Sequence, residues 1–344
     1  GDWSSDVCSS DLEELEVLVA ALILLFSARA SRAQQTNNQF EGTLNIVWGD
    51  PEPGRTGGTT LYSLTLADGT NLPLLLTGQE SLAATYFGKR VAVTGRPAAN
   101  GAALAPGPQT IVVDSINALK SAAGFEPVNP EPANAVTGTK KVIYLLLKFS
   151  DDTAVPHPAS FFTDLNNPDT PPAGALFPST INGFFKKTSY NQFSWIGDVG
   201  GVGGLGAPGG WLTLPQPRSY YAPCGQNSSC ANLTQIGTDG TALGRAQGIV
   251  FTNYDNINFA LSNDLDCCAW GGTFFSSVDN KSYGATWEPP AGQDATIYSH
   301  EMGHSIGLPH SGWVYYAYDS LWDVMSYAPS VNAMLCGSYV SKLT

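Results

Sequence analysis

The sequence predicts an α+β protein in which a small all-strand region precedes a mixed sheet with helices. Three observations predict it. Residues 40–118 alternate apolar and polar side chains with the period of two that half-buried strands require. Residues 119–138 carry prolines and no periodicity. From Lys140 onward an unbroken apolar run gives way to helix-length segments, and the last of these carries three of the chain's 4 histidines.

The first region divides into five strands and a helix. From Phe40 to Trp48 the side chains Leu44, Ile46 and Trp48 fall on one face. Tyr62, Leu64 and Leu66 repeat the pattern, and Asp68-Gly69 signals a hairpin turn. Leu72–Leu76 is a third strand, residues 79–86 a short helix, and Arg90–Thr94 and Thr110–Ile116 the last two strands. This order is that of a small OB-like β-barrel domain spanning 34–118. Such barrels often bind oligonucleotides or sugars, and an accessory domain without a ligand of its own is the plainer alternative. The Pro-rich linker at 119–138 is a place where an N-terminal segment could be cut away.

In the second region, 139–344, Lys141–Phe149 is continuously apolar, as in a strand buried on both faces. A helix is expected within 176–188 around Ile181, Phe184 and Phe185, then a strand from Asn191 to Val199. Residues 231–246 suggest another helix, weakened by Gly237 and Gly240. Gly248–Thr252, Ile257–Leu261 and Gly271–Ser276 are strand candidates, the last at a sheet edge. Asp294 is placed to cap the helix that follows, with Ile297 toward the core.

That helix carries the chemistry. Residues 300–310 read H-E-x-x-H-x-x-G-x-x-H. Positions i and i+4 lie about 40° apart around a helix, so His300 and His304 project from one face and can reach one ion. Glu301 leaves at a neighbouring angle, able to act on a water without ligating. Gly307 lets the chain leave the helix in a conformation other residues resist, and Pro309 prevents the helix from resuming. His310 then returns as a third ligand. Three imidazoles with one open position describe a catalytic Zn2+ site.

These residues resemble the metzincin zinc metallopeptidases, whose extended motif they match at all five fixed positions. Asp323-Val324-Met325-Ser326-Tyr327 is similar to the family's methionine turn. Gly183–Tyr190, Trp211–Pro215 and Ser219-Tyr220-Tyr221 resemble phrases of the gametolysin and immune-inhibitor-like branch. The resemblance implies a zincin catalytic domain with a mixed twisted sheet and an active-site helix. It implies a secreted endopeptidase that cleaves extended protein or peptide substrates. Glu301 would be the general base, Met325 and Gly307 structural support, and Tyr327 a donor to the oxyanion. It also implies that the edge strand at Gly271–Ser276 pairs antiparallel with substrate. Only 17 residues follow Tyr327, so the catalytic domain is expected to be cut short at its C-terminus. The alternatives are an inactive zinc-holding adhesion or binding protein, and a sugar-binding module acting through the β domain.

Composition narrows the partners. A net charge of -13 disfavours nucleic acid and anionic membrane surfaces. Acidic loops could hold Ca2+, but no D-x-[DN]-x-[DN]-G loop occurs. Residues 17–26 form an apolar run too short to span a bilayer, followed by small-x-small sites. This reads as a secretory signal peptide, although residues 11–16 are acidic where positive charge is expected. Residues 1–12 resemble translated sequencing-adapter sequence, and 1–33 are set aside from the fold. Apart from Cys8 there are five cysteines, and secretion favours disulfides among them. Cys224 and Cys230 could close a small loop. Adjacent Cys267 and Cys268 are expected to seek distant partners, and Cys336 makes the count odd. Neither connectivity nor oligomeric state can be read from these residues.

Overall fold

A computed structural model describes residues 38–51, 58–98, 109–119, 136–168, 179–200, 210–311, 320 and 323–326. The expected signal peptide, Cys8, Cys336, Tyr327 and the C-terminal segment lie outside the described residues. The architecture is mixed α+β, a five-stranded barrel with further strands and helices.

The barrel comprises β1 (Asn38–Pro51), β2 (Thr59–Leu66), β3 (Asn71–Leu75), α1 (Glu80–Thr85), β4 (Arg90–Pro97) and β5 (Ile111–Ala118). β1 pairs with β2 and with β4, β2 with β3, β3 with β5 and β5 with β4, which closes the ring. The period-two pattern explains the core. Leu44, Ile46, Trp48 and Leu64 meet Val91, Val93, Ile111 and Ile116 inside, with Ala83 of α1 covering one end. The Asp68-Gly69 turn forms as expected, with Gly69 at φ +84° and the Asp68 carboxylate accepting from Thr70 N.

The second region comprises β6 (Gly138–Lys148), α2 (Ala159–Asn166), α3 (Ile181–Thr188), β7 (Phe193–Gly200), β8 (Leu212–Thr213), α4 (Arg218–Tyr221), α5 (Leu233–Ala246), β9 (Asn256–Leu261), β10 (Cys268–Ser276), β11 (Lys281–Glu288) and α6 (Ala295–Ser305). The sheet runs β10-β11-β9-β6-β7. The β11–β9, β9–β6 and β6–β7 pairs are parallel, and β10 is antiparallel to β11. The unbroken apolar run of β6 is explained by helices on both faces. Ile143, Leu145 and Leu147 face α5 with Phe259 and Phe274. Val142, Tyr144 and Leu146 face α2, α3 and α6 with Phe162, Phe184 and Met302. Gly237 and Gly240, unfavourable for helix propensity, are packing positions, since a Cβ there would meet Phe274 and Leu147.

Four expectations need correction. Gly248–Thr252 is not a strand. Its apolar residues enter a 3-10 turn at Phe251–Asn253, where Phe251 packs under α5. Ile297 is only half-buried, and Tyr298 takes the core position beside it. Cys267 and Cys268 bond to each other instead of to distant partners, while Cys224–Cys230 pairs as expected. Finally, β10 is not a free edge. Residues Val47–Pro51 of β1 pair antiparallel with Cys268–Gly272, so barrel and second region share one 11-stranded sheet.

Candidate metal centre

α6 begins where the Asp294 carboxylate accepts from Thr296 N at 2.7 Å and Ile297 N at 3.0 Å, satisfying two donors the helix leaves unpaired. It lies across β10 and β11 and against α3, and Tyr298 through Ser305 are all buried. It ends at Gly307, whose φ of +81° lets its N–H reach His304 O at 2.8 Å while Leu308 N reaches Gly303 O. The chain then turns back and delivers His310.

The three histidines converge. His304 Nε2 lies 3.1 Å from His300 Nε2 and 3.2 Å from His310 Nε2. The other nitrogens of the two helix histidines fix their tautomers, because a carbonyl can only accept. His300 Nδ1 donates to Val324 O at 2.5 Å, and His304 Nδ1 donates to Leu308 O at 2.6 Å. With neutral rings, both Nε2 atoms therefore turn lone pairs toward each other at hydrogen-bond distance. Such a confrontation is repulsive, and a proton or a metal cation at the common point relieves it. The donor set fits zinc, which takes imidazole nitrogens in tetrahedral array.

A fourth group joins them from the barrel. Asp50 Oδ1 is 2.6 Å from His310 Nε2, and Oδ2 is 3.3 Å from His304 Nε2 and 3.5 Å from His300 Nε2. Asp50, His300, His304 and His310 form a group that could hold a metal ion. Two residues before Asp50, the Trp48 ring stacks on the His304 imidazole with centroids 4.7 Å apart.

The electrostatics follow from burial and proximity. Burial works against a charge on Asp50, yet the charges and hydrogen bonds of the histidines hold its carboxyl well below the usual range. Burial likewise opposes a charge on His300, but Asp50 and the Val324 carbonyl carry it above its ordinary value. His304 is pushed down to about 3, chiefly by burial, and so is held as a neutral imidazole. Glu301 is wholly buried beside them, and neither of its oxygens finds a donor among the described residues. Burial, then Asp50 and Glu288, push its carboxyl well above its ordinary value. β10 runs close against it, for a Cβ at Gly271 would fall on the Glu301 backbone and carboxylate.

Met325 lies beneath the site and is fully buried. Its Sδ occupies the space a Cβ on Gly303 would need, its N–H is held by Asp323, and its carbonyl accepts from Ser311 N. The structure thus brings together His300, Glu301, His304, Gly307, His310 and Met325. Asp50 is the residue that sequence reasoning missed. Its signal was parity, because it is the next residue on the face that carries Leu44, Ile46 and Trp48, and a carboxylate there is out of place in a barrel core.

Compared with known proteins, the sequence matches no family model and no curated protein. The case for a function therefore stands on the site.

Proposed function

We propose that the chain is a secreted zinc-dependent endopeptidase of metzincin type, resembling the gametolysin and immune-inhibitor-like branch. The observation that carries this reading is the convergence of three imidazole Nε2 atoms beside a buried glutamate that has no donor among the described residues. His300, His304 and His310 would hold the ion. When bound, zinc would polarise a substrate carbonyl and make a nearby water more acidic. Glu301 then acts as general base, taking the proton from that water and returning it to the leaving amine. Met325 supports the helix from below, and Tyr327 is proposed as a donor to the oxyanion. The two disulfides support an oxidising, extracellular compartment. No described helix is long and apolar enough to cross a membrane.

One observation favours a second reading. With Asp50 the site offers four protein ligands, and a closed set of four is the mark of a structural zinc site. An inactive, zinc-holding binding protein would look like this. Glu301 argues the other way, because a structural site has no use for a donorless base at its side.

The test uses the full chain, as wild type and as Asp50→Ala, with casein as substrate and with or without a chelator. Metal content is measured on the same samples. Chelator-sensitive cleavage that disappears in Glu301→Gln is the expected result. Cleavage by Glu301→Gln equal to that of its parent, or no chelator-sensitive cleavage in either background, refutes the peptidase reading.

A further inference from the structure

We propose that the end of β11 and the turn leading into α6 form a second cation site, separate from the histidine centre, where the Glu288 carboxylate and Gln293 Oε1 bind Ca2+. This site stands whether or not the chain cleaves peptides.

Strand parity places Glu288. Trp287 before it turns into the layer that contains Phe259, stacked on that ring with centroids 5.4 Å apart. Glu288 therefore turns to the opposite layer, under α6. There the 3-10 turn Pro290–Gly292 closes over it. A Cβ on Gly292 would lie 2.6 Å from Glu288 Oε2 and 3.4 Å from the Ile297 side chain of α6. The Glu288 side chain is fully buried, and neither carboxylate oxygen finds a donor among the described residues.

Gln293 is held beside it. Its Nε2 donates to Leu261 O at 2.7 Å and to Glu288 O at 3.1 Å. Both amide protons are spent on carbonyls, and this fixes the amide's orientation, because the reverse would set oxygen against oxygen. Gln293 Oε1 is left buried and without a donor. The Tyr298 hydroxyl, on the first turn of α6, is buried and unpartnered as well.

Three buried acceptor oxygens where β11 meets α6 call for a positive partner. No Lys or Arg among the described residues pairs with Glu288. Burial first, then the negative charges of Asp294 and Asp50, hold its carboxyl well above its ordinary value. A proton on Glu288 would serve one acceptor and still leave one of the three oxygens bare. A cation can engage all three. Carboxylate and amide oxygens are hard donors, the set that Ca2+ draws from side chains, main-chain carbonyls and water. The histidine centre offers imidazole nitrogens, so the two sites select different metals. Calcium here ties the last residue of β11 to the turn that starts α6, and so anchors the helix that carries His300 and Glu301.

The test uses the full chain, stripped of metal, reloaded with equimolar zinc and titrated with Ca2+ by calorimetry. Wild type, Glu288→Gln and Gly292→Ala are compared. Glu288→Gln keeps the side-chain shape and removes the charge, whereas Gly292→Ala keeps every ligand and crowds the carboxylate. Wild type is expected to bind about one Ca2+ per chain. Binding should be ~10-fold weaker in Gly292→Ala, the scale of one overpacked methyl group. Glu288→Gln should show no saturable binding, with zinc content unchanged in all three. Added Ca2+ should raise the melting temperature of wild type and leave that of Glu288→Gln where it was. A wild type that binds no Ca2+ saturably overturns the proposal, and that result needs no variant to fold. Equal affinity in wild type and Glu288→Gln overturns it too, because the calcium then sits elsewhere.

Discussion

The helix α6 and the strand β1 reach the same point by opposite routes. α6 and the turn after it deliver His300, His304 and His310 within eleven residues, positioned by helical periodicity, an Asp294 cap and a left-handed glycine. β1 delivers Asp50 from 250 positions away, through a strand register and a barrel core. The first route is local and cannot be undone without melting the helix. The second depends on pairing between two regions, through a strand whose residues Val47–Gly49 also pair with β2 inside the barrel. The difference teaches which residues of the site are placed by local sequence and which only by the assembled sheet.

Substitutions can break or sharpen that contrast. The largest effect is expected at Glu301→Gln on the helix side, a loss of about 10²–10⁴-fold in cleavage. Metal stoichiometry should stay unchanged, read by peptide cleavage and metal analysis on one preparation. On the strand side, Trp48→Ala removes a ring that is 5% exposed and packs both the barrel core and His304. It is expected to cost ~3–5 kcal/mol in denaturant unfolding, with metal still bound by the three histidines. Equal loss of metal and stability in that variant would show that the two routes are not separable.

A third substitution probes β10, where the routes meet. Asp279, in the turn between β10 and β11, accepts from Arg245 of α5, Ser276 Oγ and Tyr283 Oη. Burial opposes its charge, but these donors outweigh it and hold the carboxyl below its ordinary value. Asp279→Asn should cost ~1.5–3 kcal/mol near neutral pH. Because the folded pKa is depressed, the stabilisation is present above about 3.9 and is lost as pH falls through the folded value. The difference in melting temperature between wild type and variant should therefore shrink below about pH 4. A gap that widens in acid contradicts this assignment. The smallest effect is expected at Gly307→Ala, ~1–2 kcal/mol from a side chain forced to positive φ. Here the sensitive readout is metal affinity, because His310 follows this turn directly.

The same contrast explains what could be read from the sequence. α6, its Asp294 cap and the barrel strands were legible because each is a short-range pattern of spacing or alternation. β11 was not anticipated. Its segment Lys-Ser-Tyr-Gly-Ala-Thr-Trp-Glu is mostly buried on both faces, so no alternation marks it. α2 also escaped, since Ala159–Asn166 is brief and lacks a side-chain cap. Gly248–Thr252 has strand composition, but tertiary packing of Phe251 decides its conformation. The Cys267–Cys268 bond ran against the expectation for neighbours. The helix motif yielded every histidine of the site, while Asp50 needed knowledge of which strand would lie beside β10. Register between distant strands is a property of the assembled sheet, not of either segment.

The bare backbone at Gly271 and Gly272 lets three elements close on one line. A Cβ on Gly271 would fall on Glu301 of α6, and a Cβ on Gly272 would fall on Ile46 and Val47 of β1. A methyl group at either position would wedge β10 away from one of its neighbours.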